Sequence, residues 1–235
     1  MFYGMGFYGF DSTYLLLIIG LLISLAASAK LKSTFAAYRR VNSMSGLTGA
    51  QAAQRILRAA GIYDVNIVPV SGELTDHYDP RAKEVRLSQS SYNQTSLAAV
   101  GVAAHECGHA IQHAVNYAPL NIRSSLVPVA NLGSTLAWPI FLAGFIFAME
   151  PLLTAGIVLF SAAVLFQLVT LPVEYNASSR ALKMLESTGI LAPDENYGAR
   201  KVLRAAALTY VAALLSSILQ LLRLVILAGG RRRDD

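Results

Sequence analysis

Charge is scarce in this chain: Asp, Glu, Lys and Arg make up 14% of its 235 residues, and 54% are hydrophobic. Soluble domains carry roughly 25% charged residues, so an ordinary water-soluble fold is excluded. A mean hydropathy of +0.48 excludes intrinsic disorder as well. Cysteine is nearly absent. The single Cys107 excludes an intramolecular disulfide framework and an all-thiolate metal site, so a metal must be held by His and carboxylates. Residues 1–13 contain no Lys or Arg, so the basic leader of a cleaved signal peptide is missing there and the first apolar run is expected to be an uncleaved anchor. There is no Walker loop, no GxGxxG, no internal repeat and no low-complexity tract. The net charge of +5 does not indicate nucleic acid, because the Lys and Arg residues stand in blocks beside apolar runs and not in a stripe with interleaved aromatics.

Long apolar runs are what the chain has instead. Residues 14–29, 126–148 and 152–171 are each apolar over a length that crosses most or all of a ~30 Å hydrocarbon layer. The second and third are separated only by Met149, Glu150 and Pro151, which predicts a helical hairpin with a tight turn. Residues 205–228 form a fourth run, interrupted by Gln220 and Arg223, that either spans the bilayer or lies in its interface. Residues 30–125 hold ten of the nineteen Lys and Arg residues, so this stretch is expected on the cytoplasmic side of the plasma membrane. The hairpin goes out and returns, which brings residues 172–204 to the same side. The expected organisation is a tail and first transmembrane helix (1–29), a cytoplasmic lobe (30–125), a transmembrane hairpin (126–171), a cytoplasmic helix (172–204), and a fourth membrane or interfacial helix with a basic tail (205–235).

Within the lobe the pattern becomes amphipathic and alternating. Residues 48–60 have helical spacing with Gly61 as a stop; residues 65–70 and 84–88 read as short strands joined by 71–83; a further helix starts near Ser96. That last helix carries His105-Glu106-Cys107-Gly108-His109. With this composition chance supplies about 0.002 HExxH matches per chain, so the motif outranks every other feature. His105 and His109 lie one turn apart on one helix face and can reach one Zn²⁺ together. Glu106, beside the first ligand, is placed to act as general base on a water. Cys107 points one position off that face and is expected to be a small buried residue.

A catalytic zinc site takes a third protein ligand and leaves a position for water. His113 fails on distance, because eight residues of helix place it about 12 Å from His105. Glu73, Asp76, Asp79, Glu84, Glu186, Asp194 and Glu195 are available carboxylates, but Glu174 is best placed. It follows the third apolar run by a few residues, so the hairpin returns it to the side of the lobe that carries His105. Ser178, four residues on, shares its helix face and can hydrogen-bond a metal-ligating side chain. His77, Tyr175 and Arg180 are candidate donors to the reaction's developing oxyanion. The polar run 75–79 that contains His77 reads more readily as a plain turn between two strands.

The stretches LTDHYDPRAKEVRLS, VAAHECGHAIQH and LPVEYNASSRAL, in this order and behind a leading span with KLKSTFAAYRR, resemble the YugP-type neutral zinc metallopeptidases of bacterial membranes. The likeness covers nearly the whole chain. It implies a membrane-embedded zinc peptidase with His105, His109 and Glu174 as ligands and Glu106 as base. More distantly the chain is similar to the HtpX and CAAX-processing membrane peptidases, whose second motif is ExxxD; the matching position here is Ser178. The fold class expected is a mainly α membrane protein of α+β character, with three or four transmembrane helices and a cytoplasmic zincin-like lobe holding a small sheet and the HExxH helix. The expected activity is endopeptidase action on proteins at the membrane, including turnover of misfolded ones. Expected partners are protein or peptide substrates, the lipid bilayer, and a membrane-protein partner or second copy, with no nucleic acid. The competing reading is a zinc-binding scaffold or adaptor of another membrane protease. Glu106 speaks against it, since a structural zinc needs no general base.

Overall fold

A computed structural model describes residues 12–231. The residues of the expected N-terminal tail before Ser12 and of the basic tail after Arg231 lie outside the described residues. Four helices are long and apolar enough to cross a membrane: α1 (Tyr14–Tyr38), α4 (Ala118–Ile146), α5 (Glu150–Ser187) and α6 (Pro193–Arg231). Between α1 and α4 lie α2 (Gly49–Ala59), β1 (Asn66–Val70), β2 (His77–Asp79), β3 (Glu84–Ser88) and α3 (Leu97–Ala114). The chain is a mainly α membrane protein with one small sheet, and it forms two compact units.

One unit contains residues 12–26, 123–168 and 210–231. Leu15, Leu21, Leu22, Leu132, Val158 and Leu165 are all exposed on it, as expected where lipid and not water is the solvent. Its helices meet through small residues, because lipid tails provide no hydrophobic drive and backbones must approach closely to gain contact. A Cβ on Gly133 would run into the Leu159 carbonyl, and one on Gly156 would stand 2.7 Å from the Phe141 Cβ. The turn between α4 and α5 falls at residues 147–149, two residues earlier than the sequence suggests. Ala148 takes the left-handed conformation (φ 56°) and the Met149 N–H donates to the Gly144 carbonyl at 2.9 Å. Glu150 and Pro151 therefore open α5, where a proline's missing N–H costs nothing.

The fourth apolar run is also resolved. Ser216 Oγ donates to the Gly20 carbonyl at 2.8 Å and lies 2.9 Å from Ser24 Oγ, while the Arg223 guanidinium stands 4.7 Å from the Tyr14 ring and 5.6 Å from the Trp138 ring. Rising positions on α1 thus meet falling positions on α6, so the two helices run antiparallel. The eighteen residues from Ala205 to Leu222 span about 27 Å. This stretch is long enough to cross, and Arg223 falls just beyond it.

The other unit contains Ala27–Ile122 and Val169–Thr209. Thr48 caps α2 through a reciprocal capping box with Gln51, and Gly61 (φ 73°) ends it. The sheet has the order β1-β3-β2, with β1 parallel and β2 antiparallel to β3. β2 is a strand where the sequence suggests a turn. Asp76 holds the segment in place, its carboxylate accepting from the Ser88 N–H at 2.8 Å and the Ser88 hydroxyl at 2.9 Å. Asp79 then caps the following turn by accepting from the Arg81 and Ala82 N–H groups, and these bonds hold its carboxyl below the usual range. The core gathers Ile56, Leu57, Val85, Leu87, Val100 and Leu185, all essentially buried, around α3. Cys107 is fully buried in this core, its Sγ 3.6 Å from the Ala53 carbonyl, and burial pushes its thiol pKa far up.

Candidate metal centre

Ser96 caps α3 by accepting from the Ala99 N–H at 3.2 Å, which starts the helix in register so that His105 and His109 share one face. Gly108, between them, lets α3 lie directly against α5: a Cβ there would meet the Ala177 carbonyl and stand 3.1 Å from the Ala177 Cα. This close approach brings Glu174, three residues before Ala177, to the two histidines. Glu174 Oε2 lies 3.2 Å from His105 Nε2 and 3.6 Å from His109 Nε2. The three side chains offer ligand atoms within 4.8 Å of one another, a group that could hold one metal ion.

The donor set fits zinc. Ligands at about 2.0–2.1 Å in tetrahedral array lie about 3.3 Å apart, close to the two separations just given. The tautomers agree as well. Gln112 is fully buried, and its Nε2 donates to the Val173 carbonyl at 2.8 Å and to Asn176 Oδ1 at 3.0 Å. Because a carbonyl can only accept, the amide orientation is fixed and Oε1 faces His109 Nδ1 at 3.0 Å. His109 must therefore carry its proton on Nδ1, which leaves the Nε2 lone pair for a metal. On the other histidine Ser178 Oγ lies 3.1 Å from Nδ1, so Nε2 again faces the shared point. Burial opposes charge on His109, but the hydrogen bond to Glu174 and the charges of Glu106 and Glu174 outweigh it and raise its pKa above that of an ordinary histidine.

Of the other candidates, Glu106 is buried beside His105. Ser178 joins the centre through His105. Arg180 connects only through Asn176 and Gln112 to His109: its Nε donates to Asn176 Oδ1 at 2.7 Å and its guanidinium stands 5.9 Å from the Tyr117 ring. Tyr175 is half exposed. His77 sits exposed on β2 and its Nδ1–H donates to the Thr75 carbonyl at 2.8 Å, outside the metal-ligating group. His113 pairs with the Tyr78 hydroxyl at 2.9 Å, away from the ligand set, as its spacing requires. Gln112 and Asn176 are the members that sequence reasoning missed. Gln112 follows His109 by three residues, a spacing that places it on the same helix side, and that was the available signal.

A His, His, Glu cluster with a buried carboxylate, on two packed helices in a chain with four candidate spans, is a ligand set that suits a membrane metallohydrolase. Comparison with known proteins agrees: residues 13–229 match the family described as "Putative neutral zinc metallopeptidase", and the chain belongs to it. It is similar to the "Putative membrane protease YugP" of Bacillus subtilis (strain 168), with 50% identity over 220 residues covering 94% of this chain and 98% of that protein. No solved structure matches.

Proposed function

We propose that this protein is a zinc-dependent membrane endopeptidase of the gluzincin type, which hydrolyses peptide bonds of membrane-associated proteins near the cytoplasmic surface of the plasma membrane. The observation that carries it is the convergence of His105 Nε2, His109 Nε2 and Glu174 Oε2, with the His109 imidazole held in the metal-ready tautomer, His105 Nδ1 engaged by Ser178, and Glu106 next in sequence to the first of them. Zinc held by these three supplies the Lewis acidity that makes water a nucleophile near neutral pH and polarises the scissile carbonyl. Glu106 takes the proton that the water loses as its oxygen bonds to the carbonyl carbon, and delivers it to the amide nitrogen as the C–N bond breaks. Gln112 and Ser178 keep the two histidines from turning. The substrates are protein segments at the bilayer, including misfolded membrane proteins. The clustering of Lys and Arg in residues 30–125 and 172–204 supports the cytoplasmic side.

The test is zinc content and cleavage of casein and of membrane-protein substrates by detergent-purified protein, beside Glu106→Gln. Both should carry about one zinc per chain, and the variant should lose on the order of 10²–10⁴ in rate. Zinc in both proteins with equal cleavage removes Glu106 as base; zinc in both with no cleavage of any substrate turns the reading to a zinc-holding scaffold.

A further inference from the structure

The C-terminal part of α5 and the N-terminal part of α6 line a cavity of about 340 Å³, distinct in its lining from the metal ligands. Its polar wall is Ser178, Ser179, Lys183, Arg200 and Arg204, with Tyr175 at its edge; Leu182, Leu203 and Ala207 form an apolar floor. Lys183 follows Ser179 by one turn on α5, and Arg204 follows Arg200 by one turn on α6, so each helix presents its polar groups as a single stripe. Glu186 is the one carboxylate in the lining, which leaves an excess of positive charge. Among the described residues none of the three cations makes an ion pair, although Arg39, Lys83 and Arg86 elsewhere in this unit do. All three are exposed.

We propose that this cavity binds the headgroup of an anionic phospholipid. Three unpaired cations with hydroxyls beside them suit a phosphodiester, which accepts from Arg in bidentate fashion and from Lys as a point charge. The source of the phosphate follows from the sequence around the cavity. Arg204 immediately precedes the apolar run 205–228, and Tyr175 follows the run 152–171 by four residues, so both helices pass from charged to lipid-soluble surface at this level. Cationic and tyrosine side chains at such a boundary meet headgroups, and the apolar floor accepts the first methylenes of an acyl chain. A volume near the bottom of the ~300–1,000 Å³ range of ligand pockets accommodates a glycerophosphate and no folded peptide segment. Ser178 lines the cavity and touches His105 Nδ1 at 3.1 Å, so the headgroup sits one side chain from the metal centre. The inference requires the membrane placement of α5 and α6 but not the peptidase activity.

The experiment is native mass spectrometry of the full chain released from detergent micelles doped with phosphatidylglycerol or phosphatidylcholine. The wild type should retain one phosphatidylglycerol per chain at least about tenfold more tightly than phosphatidylcholine. Lys183→Gln/Arg200→Gln/Arg204→Gln should lose that preference, and Arg58→Gln/Arg81→Gln/Lys83→Gln, which removes the same charge elsewhere, should keep it. Equal zinc content and melting temperature show that each variant is folded; if the triple variant is not, Arg204→Gln alone should reduce the preference about fivefold. Equal retention of the two lipids, or equal loss in both triple variants, overturns the proposal. So does displacement of the lipid by equimolar inorganic phosphate, which would make the site a free-anion site. Displacement by a peptide with a free C-terminal carboxylate but not by its amide would assign the cavity to a polypeptide terminus. Loss of cleavage in Glu106→Gln bears on none of these outcomes.

Discussion

Gln112→Leu tests the metal centre where its logic is most exposed. The amide is fully buried, and its three hydrogen bonds run to His109 Nδ1 at 3.0 Å, the Val173 carbonyl at 2.8 Å and Asn176 Oδ1 at 3.0 Å. Leucine has nearly the same volume and removes all three without leaving a cavity. Two effects follow, and they separate. The fold loses hydrogen bonds worth about 1 kcal/mol each, partly offset by the better burial of an apolar side chain. Independently, His109 loses the acceptor that holds its proton on Nδ1, so its Nε2 is no longer committed to the metal. Outer partners of this kind are worth about 10–100-fold in metal affinity, or about 1.4–2.7 kcal/mol. Zinc affinity of the detergent-purified variant, measured against a chromophoric chelator, should weaken by that factor, while the melting temperature of the metal-free protein reports the fold separately. With only four histidines in the chain, ¹⁵N shifts of the imidazoles can identify the tautomer in the metal-free state. A folded Gln112→Leu protein that binds zinc within about twofold of wild type, or a wild-type neutral His109 that carries its proton on Nε2 and not on Nδ1, would refute the reasoning from the amide's fixed orientation.

Gly108→Ala places a methyl against the Ala177 backbone, and overpacking of about 1–3 kcal/mol should exceed the gain of roughly 1 kcal/mol in helix propensity; the melting temperature should fall, and zinc content with it, because α3 can only relieve the clash by withdrawing His109 from Glu174. Cys107 is buried, with its thiol pKa raised, so alkylating reagents should label it in denaturant and leave the folded protein unmodified; rapid labelling of the native state contradicts the packing. Because Glu174 and Glu106 raise the His109 pKa, a proton competes with zinc for that nitrogen from a higher pH than an ordinary histidine would allow. Chelator competition across a pH series should therefore show affinity declining on acidification with an onset above the free-histidine range, and an onset at or below that range removes the carboxylates' influence.

How much of this was legible in the residues depends on the range over which each feature is determined. The HExxH pair needs only helix periodicity, and Ser96 and the capping box at Thr48 are likewise local, so these elements stand where the sequence puts them. Glu174 is far from His109 in the chain, yet it was accessible because a hairpin of two crossings has one place to return to. β2 was not legible: His-Tyr-Asp has no strand pattern of its own, and its conformation comes from pairing with β3 and from the Asp76 to Ser88 bonds, twelve residues apart. The ends of α5 and α6 escaped for a different reason. Apolar runs report where lipid is, whereas α5 continues past Leu171 with Pro172 inside it and α6 begins before Ala205; the backbone turns only at Gly189, in the left-handed region at φ 63°.

Gln112 shows the limit most sharply. As a sequence letter it is a polar residue on an apolar helix, and its meaning lies with Val173 and Asn176, 61 and 64 residues away. The same holds for Ser178, whose partner His105 lies 73 residues away. Both histidines here lean on neutral partners, an amide and a hydroxyl. Glu174 is then the one carboxylate in direct contact with the imidazoles, and Glu106 the other charge acting on His109. A neutral outer ring leaves the ligands less basic than carboxylate partners would. Two such histidines and a single carboxylate would leave a bound zinc more of its positive charge for water and carbonyl, the two groups on which hydrolysis would depend.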